Sequence, residues 1–322
     1  MNYLERRVIH GLLLLIGVSV LCFAFGALAP GNFFDEMKLN PQISPSTVAA
    51  LRSQYGIDQP LPRRYGRWVE SVFRGEWGYS FAYNCPVRSL LLVRARNTLL
   101  LTTVATLLAW LIAVPLGVWI AYRRGQWVDR LGLAGTSLLL SVSELAIALV
   151  LLYWVVRRHA LPVGGMVSVG FDGLGTRARV IDLVSHLVVP AATLVLASLP
   201  LLVRHIRASV IEVLQAPFVQ AARAHGIGGA RLLFRYALPA AANPLTSLFG
   251  LSVGALLSGS LLVEGITSWP GLGPLLLEAS LDRDIYVVVG AVMASTLFMI
   301  LGSILADVLL VVMDPRIRLG SA

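Results

Sequence analysis

An all-α membrane protein with six transmembrane helices is the fold class this sequence predicts, on three observations. Hydrophobic residues make up 57% of the 322 positions and charged residues 13%, with a mean hydropathy of +0.78. That is too much apolar surface for a soluble domain of this size. Six runs approach or exceed the roughly 20 apolar residues that cross a bilayer as a helix: Val8 to Ala29, Thr98 to Ala121, Leu131 to Val156, Leu183 to Val203, Leu245 to Ile266 and Tyr286 to Met313. The basic residues, all arginine except Lys38, sit mostly in the gaps between these runs. Helices rather than open strands follow because lipid offers backbone groups no partners.

The first run follows Arg6 and Arg7 and ends in Ala27-Leu-Ala29, a small-x-small pattern that also marks cleaved signal peptides. Its apolar stretch is longer than a signal core, so a retained helix is expected. Residues 30–97 form the next segment. Tyr55-Gly-Ile-Asp-Gln-Pro60 and Arg74-Gly-Glu-Trp-Gly-Tyr-Ser80 mix turn residues with aromatics there, which reads as a small insert. Trp68, Trp77, Tyr79, Phe81 and Tyr83 are expected at the membrane interface, where aromatic rings gather.

The second run contains Pro115, and the third carries Glu144 in its middle. A carboxylate at that depth costs at least about 2.5 kcal/mol unless it faces protein or water. Glu144 is therefore a candidate for a solute pathway, with a protonated or Arg-paired structural group as the other reading. Pro190 and Pro200 lie in or beside the fourth run and Pro244 just before the fifth, where they can kink helices or free carbonyls along a cavity. Gly250, Gly254, Ser258 and Gly259 recur near four-residue spacing in the fifth run and suit close helix contact. That contact is expected with a partner membrane subunit. Trp269-Pro-Gly-Leu-Gly273 and the following leucines read as a turn and a short interfacial helix. Asp307, late in the sixth run, is read as structural.

Between the fourth and fifth runs lies the polar stretch Phe218-Val-Gln-Ala-Ala-Arg-Ala-His-Gly226. Pro217 suits the first turn of a helix and Gly226 the left-handed position just past its end. Ala221, Ala222 and Ala224 keep its surface low, and Phe218 and Val219 supply an apolar anchor. Gly228-Gly229 permits a bend. A second helix is expected from about Ala230 to Leu238, with Leu233 and Ala237 on one face and Arg231 and Arg235 on another. Periodicity alone leaves open an amphipathic hairpin lying on lipid.

Orientation follows from the short loops. Arg6, Arg7, Arg123, Arg124, Arg130, Arg204, Arg207, Arg223, Arg231, Arg235, Arg316 and Arg318 fall on one face; Arg157, Arg158, Arg177, Arg179 and Arg283 fall on the other. The richer face is cytoplasmic by the positive-inside rule, which places both termini and the 218–239 loop there. Nucleic-acid binding is not needed to explain the net charge of +9. Cys22 and Cys85 make no disulfide framework, and the five histidines have no Cys or carboxylate partner at ligand spacing, so no metal site is expected. No GxxxxGK[ST] or strand-to-helix GxGxxG occurs, so any nucleotide-driven work depends on another chain. Nothing combines a nucleophile, a base and an orienting group, and no enzymatic activity is expected.

Gln220-Ala-Ala-Arg-Ala-His-Gly226 with Leu238-Pro239 downstream resembles the "EAA" coupling motif of type I ABC transporter permeases, specifically the dipeptide/oligopeptide/nickel branch. The supporting stretches run in order through almost the whole chain: Ala29-Pro-Gly31, Tyr55-Gly-Ile-Asp-Gln-Pro60, Tyr83-Asn-Cys-Pro-Val87, Arg123-Arg-Gly-Gln-Trp-Val-Asp-Arg130, Ser268-Trp-Pro-Gly-Leu-Gly273 and Asp314-Pro-Arg-Ile-Arg318. The long insert resembles that of the B-type subunit. Three positions depart from the pattern: Gln220 stands where the broad motif has Glu, Ser141-Val-Ser-Glu-Leu145 replaces a Pro-rich stretch, and Asn32 replaces an acidic residue.

The resemblance implies a type I ABC importer permease architecture. Its parts would be a first transmembrane helix (1–29), an extracytoplasmic insert (30–97), a transmembrane core (98–313) holding a coupling loop at about 212–240, and a cytoplasmic tail (314–322). It implies an inner-membrane subunit forming half of a pathway for di- or oligopeptides, with nickel or another small solute as the alternative cargo. The implied partners are a C-type permease, two ABC ATPase subunits that bind ATP and Mg, and an extracytoplasmic substrate-binding protein. Phe218, Gln220, Ala221, Ala222, Arg223 and Gly226 would couple to the ATPase, Glu144 and Ser258 would line the pathway, and Trp269, Pro270 and Gly271 would form an outer gate. An ion-coupled secondary transporter would use midplane charges and inverted repeats, and neither is evident beyond Glu144. A membrane scaffold would have no use for the 218–239 loop.

Overall fold

The computed structural model describes residues 3–28, 46, 59–159 and 161–313. The stretches Ala29-Pro-Gly31 and Asp314-Pro-Arg-Ile-Arg318, residue Asn32 and most of Tyr55 to Pro60 lie outside the described residues. In chain order the elements are α1 (Tyr3–Leu28), α2 (Leu61–Phe73), a short antiparallel pair β1 (Tyr79–Ser80) and β2 (Cys85–Pro86), and α3 (Val87–Tyr122). Then follow α4 (Trp127–Leu140), α5 (Glu144–Arg158), a 3-10 turn at Phe171–Gly173, α6 (Thr176–Leu214) and α7 (Pro217–Ala224). After these come α8 (Gly229–Leu232), a π-helical turn (Leu233–Ala237), α9 (Leu238–Ile266), α10 (Leu272–Leu281) and α11 (Ile285–Met313).

Among the described residues five helices are long and apolar enough to span a membrane, and α4 with α5 supplies a sixth crossing if the bent pair counts as one. The third run is thus not one helix. Its halves meet at 92° across Ser141 to Ser143. Ser143 is extended and its hydroxyl accepts the Ala146 amide at 3.3 Å, which starts a new helix at Glu144. Ser141 donates back to the Ser137 carbonyl at 3.0 Å. Glu144 therefore opens α5 rather than sitting mid-helix. A carboxylate suits that position because the helix N-terminus carries partial positive charge.

The chain divides into two compact units, Met1–Thr98 with Pro270–Phe298, and Leu99–Trp269 with Met299–Ala322. In the first, α2 is amphipathic, with Leu61, Tyr65, Trp68, Val69 and Val72 at helical spacing on one side. That side packs on α1 and the start of α11. The Phe23 ring meets Trp68 at 5.0 Å, Tyr65 at 5.4 Å and Tyr286 at 6.4 Å, and the Ser19 and Tyr65 hydroxyls lie 2.9 Å apart. Trp68 is buried, so of the five aromatics expected as interface anchors it is a packing residue instead. Gly78, at φ +99°, runs so close to Tyr286 that a Cβ would lie 3.0 Å from its ring.

Buried Asp284, just before α11, organises the tip of the β1–β2 turn. Its Oδ2 accepts from the Ser80 hydroxyl at 2.7 Å and from the amides of Phe81 at 3.0 Å and Ala82 at 3.3 Å. Each such bond to a charged group contributes roughly 1.5–3 kcal/mol. Asp284→Ala is expected to lower the melting temperature and open the 75–86 segment to protease. Wild-type melting with a wild-type cleavage pattern would contradict this role. Cys22 and Cys85 are both free, as the sequence leads one to expect.

In the second unit α6 is the central element. It packs against α4, α5 and α9, and α5 in turn packs on α9. The helices continue through Pro115, Pro190, Pro200 and Pro244. Gly254 faces Met299 of α11 and Gly259 faces Glu144, so two of the fifth run's small residues make contacts within this chain, where a partner subunit had been expected.

Candidate functional site

The stretch between α6 and α9 builds a short, capped helix from local rules. Pro217 occupies the first turn of α7, where its missing N–H costs nothing. At the other end Gly226 takes φ +80°. Its amide donates to the Arg223 carbonyl at 2.9 Å, and the Ile227 amide donates to the Ala222 carbonyl at 3.1 Å. These two bonds make a Schellman cap, which only a residue tolerant of the left-handed region closes without strain.

The two faces of α7 differ in chemistry. Val219 is fully buried and Ala222 is 8% exposed, both in the hydrophobic core that holds Leu214 and Leu232. Phe218 is 51% exposed, and Gln220, Ala221, Arg223 and Ala224 are exposed with it. The Gln220 amide donates to the Gln215 carbonyl at 3.2 Å. The outward face is therefore a phenyl ring beside small residues and one guanidinium. Val219, not Phe218, anchors the helix to its own chain.

The second arm differs from expectation. Gly228 is extended and Gly229 left-handed, so the bend is present. No separate helix over Ala230 to Leu238 follows it. After α8 the backbone takes the π turn Leu233–Ala237 and runs directly into α9, so that Gly229–Ile266 is one continuous span. Leu233 and Ala237 are buried while Arg231 and Arg235 are exposed, the division expected of the two faces. π turns within helices are rare and concentrate at functional sites.

Two further groups hold the connecting loops. Arg207 of α6 grips Asp129 of α4 through two bonds, Nε to Oδ1 at 2.7 Å and Nη2 to Oδ2 at 3.0 Å, and Asp129 also accepts the Gly125 amide at 2.9 Å. The bidentate fork fixes geometry as well as charge. Glu144 places its carboxylate against the backbone of α9, where a Cβ at Gly259 would lie 3.1 Å from both oxygens. Ser258, next to it, is exposed and bonded to the Gly254 carbonyl.

Around the Trp269 turn the side chains are pinned. Trp269 is fully buried, and its amide donates to the Glu264 carbonyl at 2.9 Å. The Pro270 carbonyl accepts the Asn97 amide at 2.8 Å, and the Leu272 amide donates to the Thr98 hydroxyl at 2.8 Å. Gly271 is extended and buried. The short helix expected after this turn is α10. Nearby, burial and the Glu278 carboxylate push the Tyr83 hydroxyl far above its usual range, so it stays a donor to Glu278. Asn97, Thr98, Asp129 and Asp284 were missed as site-shaping residues. Their signal was a polar residue at the end of an apolar run.

Residues 113–319 match the family described as binding-protein-dependent transport system inner membrane component, and residues 1–110 match its N-terminal companion. The chain belongs to this family. Among relatives of this inner membrane component, the oligopeptide transport system permease protein AppB of Bacillus subtilis (strain 168) is 32% identical, covering 98% of each chain. The dipeptide transport system permease protein DppB of Escherichia coli (strain K12) is 33% identical, covering 94% of each. The glutathione transport system permease protein GsiC of Salmonella paratyphi A is 32% identical, covering 99% of each. A solved structure of the MetNI methionine ABC transporter in an inward-facing form shares the fold, with a TM-score of 0.51 over 70% of this chain and 96% of that one at 18% identity. This component is thus a multi-pass membrane transport protein of type I permease fold.

Proposed function

We propose that this component is a transmembrane subunit of an ATP-driven importer and forms half of the pathway for short peptides. The observation that carries the reading is α7, an exposed, rigidly capped helix set between two membrane-length helices of a transport component. The relatives named for oligopeptide, dipeptide and glutathione transport support a peptide cargo. A C-type permease completes the pathway, a binding protein outside the membrane delivers the peptide, and two ATPase subunits hold ATP and Mg. The arginine distribution supports placing both termini and α7 in the cytoplasm.

Phe218, Gln220, Ala221 and Arg223 meet the ATPase, while Val219 and Ala222 fasten α7 to the core and Gly226 closes its end. ATPase closure displaces α7 and selects between two pathway conformations, which requires the ATPase to bind one state more tightly than the other. Glu144 and Ser258 border the pathway, and Glu144 meets the peptide's amino terminus. Trp269, Pro270 and Gly271 shape its outer mouth.

The test is ATP-dependent uptake of a labelled dipeptide by the assembled transporter in proteoliposomes. Phe218→Asp is expected to release the ATPase and end uptake without loss of fold. Glu144→Gln is expected to cut uptake about tenfold or more, as loss of one desolvated charge contact does, while assembly and basal ATP hydrolysis persist. Wild-type uptake by Glu144→Gln removes that residue from the pathway, and a retained ATPase in Phe218→Asp removes α7 from the coupling.

A further inference from the structure

A cleft of about 800 Å³ opens on the polar side of α2, lined by Arg64, Arg67, Arg88, Glu76, Trp77 and Tyr79 among others. Three guanidinium groups face one carboxylate. Arg67 donates to Gln59. Arg64 has its Nε buried with no acceptor among the described residues. The cleft therefore carries net positive charge from guanidinium groups, whose planar forks match a phosphate, and it favours an anion.

The height of the cleft follows from the packing of α2. Tyr65 and Trp68 sit against Ser19 and Phe23, in the last turns of α1 before its apolar stretch ends at Leu28. A basic amphipathic helix held beside the end of a membrane-length helix lies at the water–lipid boundary. Headgroup phosphates occupy that level, and indole and phenol rings prefer it.

We propose that this cleft binds the phosphate of an anionic phospholipid headgroup. Arg64 and Arg88 carry the charge recognition, with Trp77 and Tyr79 beside the glycerol. Arg88 also lies by Gly75, where a Cβ would come 3.6 Å from its Nη1. The cleft shares no residue with α7 and does not include Glu144, and it does not depend on which solute is carried.

The experiment titrates phosphatidylglycerol, with phosphatidylcholine as the neutral reference, into the assembled transporter in detergent, reading bound lipid by native mass spectrometry. Wild type is expected to prefer phosphatidylglycerol, and the double change Arg64→Gln with Arg88→Gln to weaken that binding about tenfold or more, since each basic side chain near the surface contributes roughly fivefold and two are removed. Arg63→Gln, exposed on the same helix outside the cleft, is expected to leave it unchanged. Glu76→Gln removes the opposing carboxylate and is expected to tighten binding, which keeps the test decisive should the double variant fold poorly. Equal affinity in wild type and the double variant, or weaker binding in Glu76→Gln, would overturn the site. Inorganic phosphate and glycerol 3-phosphate are the soluble arms. Either one displacing the lipid at matching concentration would overturn a lipid source and assign the cleft to free phosphate groups.

Discussion

Gly226→Val is expected to abolish ATP-dependent uptake, and Gly226→Asn to keep most of it. An added Cβ meets nothing within 4 Å, so crowding plays no part and the whole effect runs through the backbone at φ +80°. A non-glycine residue in that region costs roughly 1–2 kcal/mol, more for a β-branched one, whereas asparagine visits it routinely. The strain falls on the two backbone hydrogen bonds that close α7, Gly226 N–H to the Arg223 carbonyl and Ile227 N–H to the Ala222 carbonyl. Without them the helix frays from Arg223 onward and its outward face loses its shape. Uptake and ATPase co-purification, measured on both variants, check this. Full uptake by the valine variant would show that the cap does not matter for coupling.

Ala222→Asp and Ala221→Asp, one residue apart, are expected to fail in different ways. Ala222 is 8% exposed and lies in the apolar core. A carboxylate there has no partner, and the expected loss is on the order of 3 kcal/mol or more, seen as low yield and early melting. Ala221 is exposed, so its aspartate variant is expected to melt as wild type does yet lose the ATPase. Melting curves and a pull-down separate the two outcomes. Wild-type melting of Ala222→Asp together with ATPase retention by Ala221→Asp would refute the division of faces described for α7.

The membrane-length helices and both ends of α7 were legible because each rests on a local rule: an apolar run long enough to span, a proline at a first turn, a glycine past a last one. The break at Ser141 to Ser143 was not. No proline or glycine marks it, and averaged hydropathy runs smoothly across it. The only signal is Ser143 followed by a carboxylate, a helix-start pattern embedded in an apolar context. Trp68 was misjudged for a similar reason. Read as a lone aromatic in a polar insert it suggests an interface anchor, but with Leu61, Tyr65, Val69 and Val72 it forms one side of a helix. The π turn lies just before Pro239, which has no N–H to offer the Arg235 carbonyl, but that signal alone does not distinguish a π turn from a kink. The Arg207 and Asp129 pair joins residues far apart in sequence, and no pattern of spacing reveals such a contact.

The continuity of α8, the π turn and α9 has a mechanical meaning. Residues Gly229–Ile266 are 38 in number, and at about 1.5 Å per residue they make a rod of nearly 57 Å. A rod that pivots about its middle needs no local rearrangement to carry motion. Tilting it by about 10° moves each end by about 5 Å, in opposite directions, which follows from its length alone. One end carries Arg231 and Phe234 beside α7, and the other carries Glu264 and leads into Trp269. If the span pivots as one body despite its π turn and Pro244, a stroke of a few ångströms at the first end reaches the second as an equal stroke reversed.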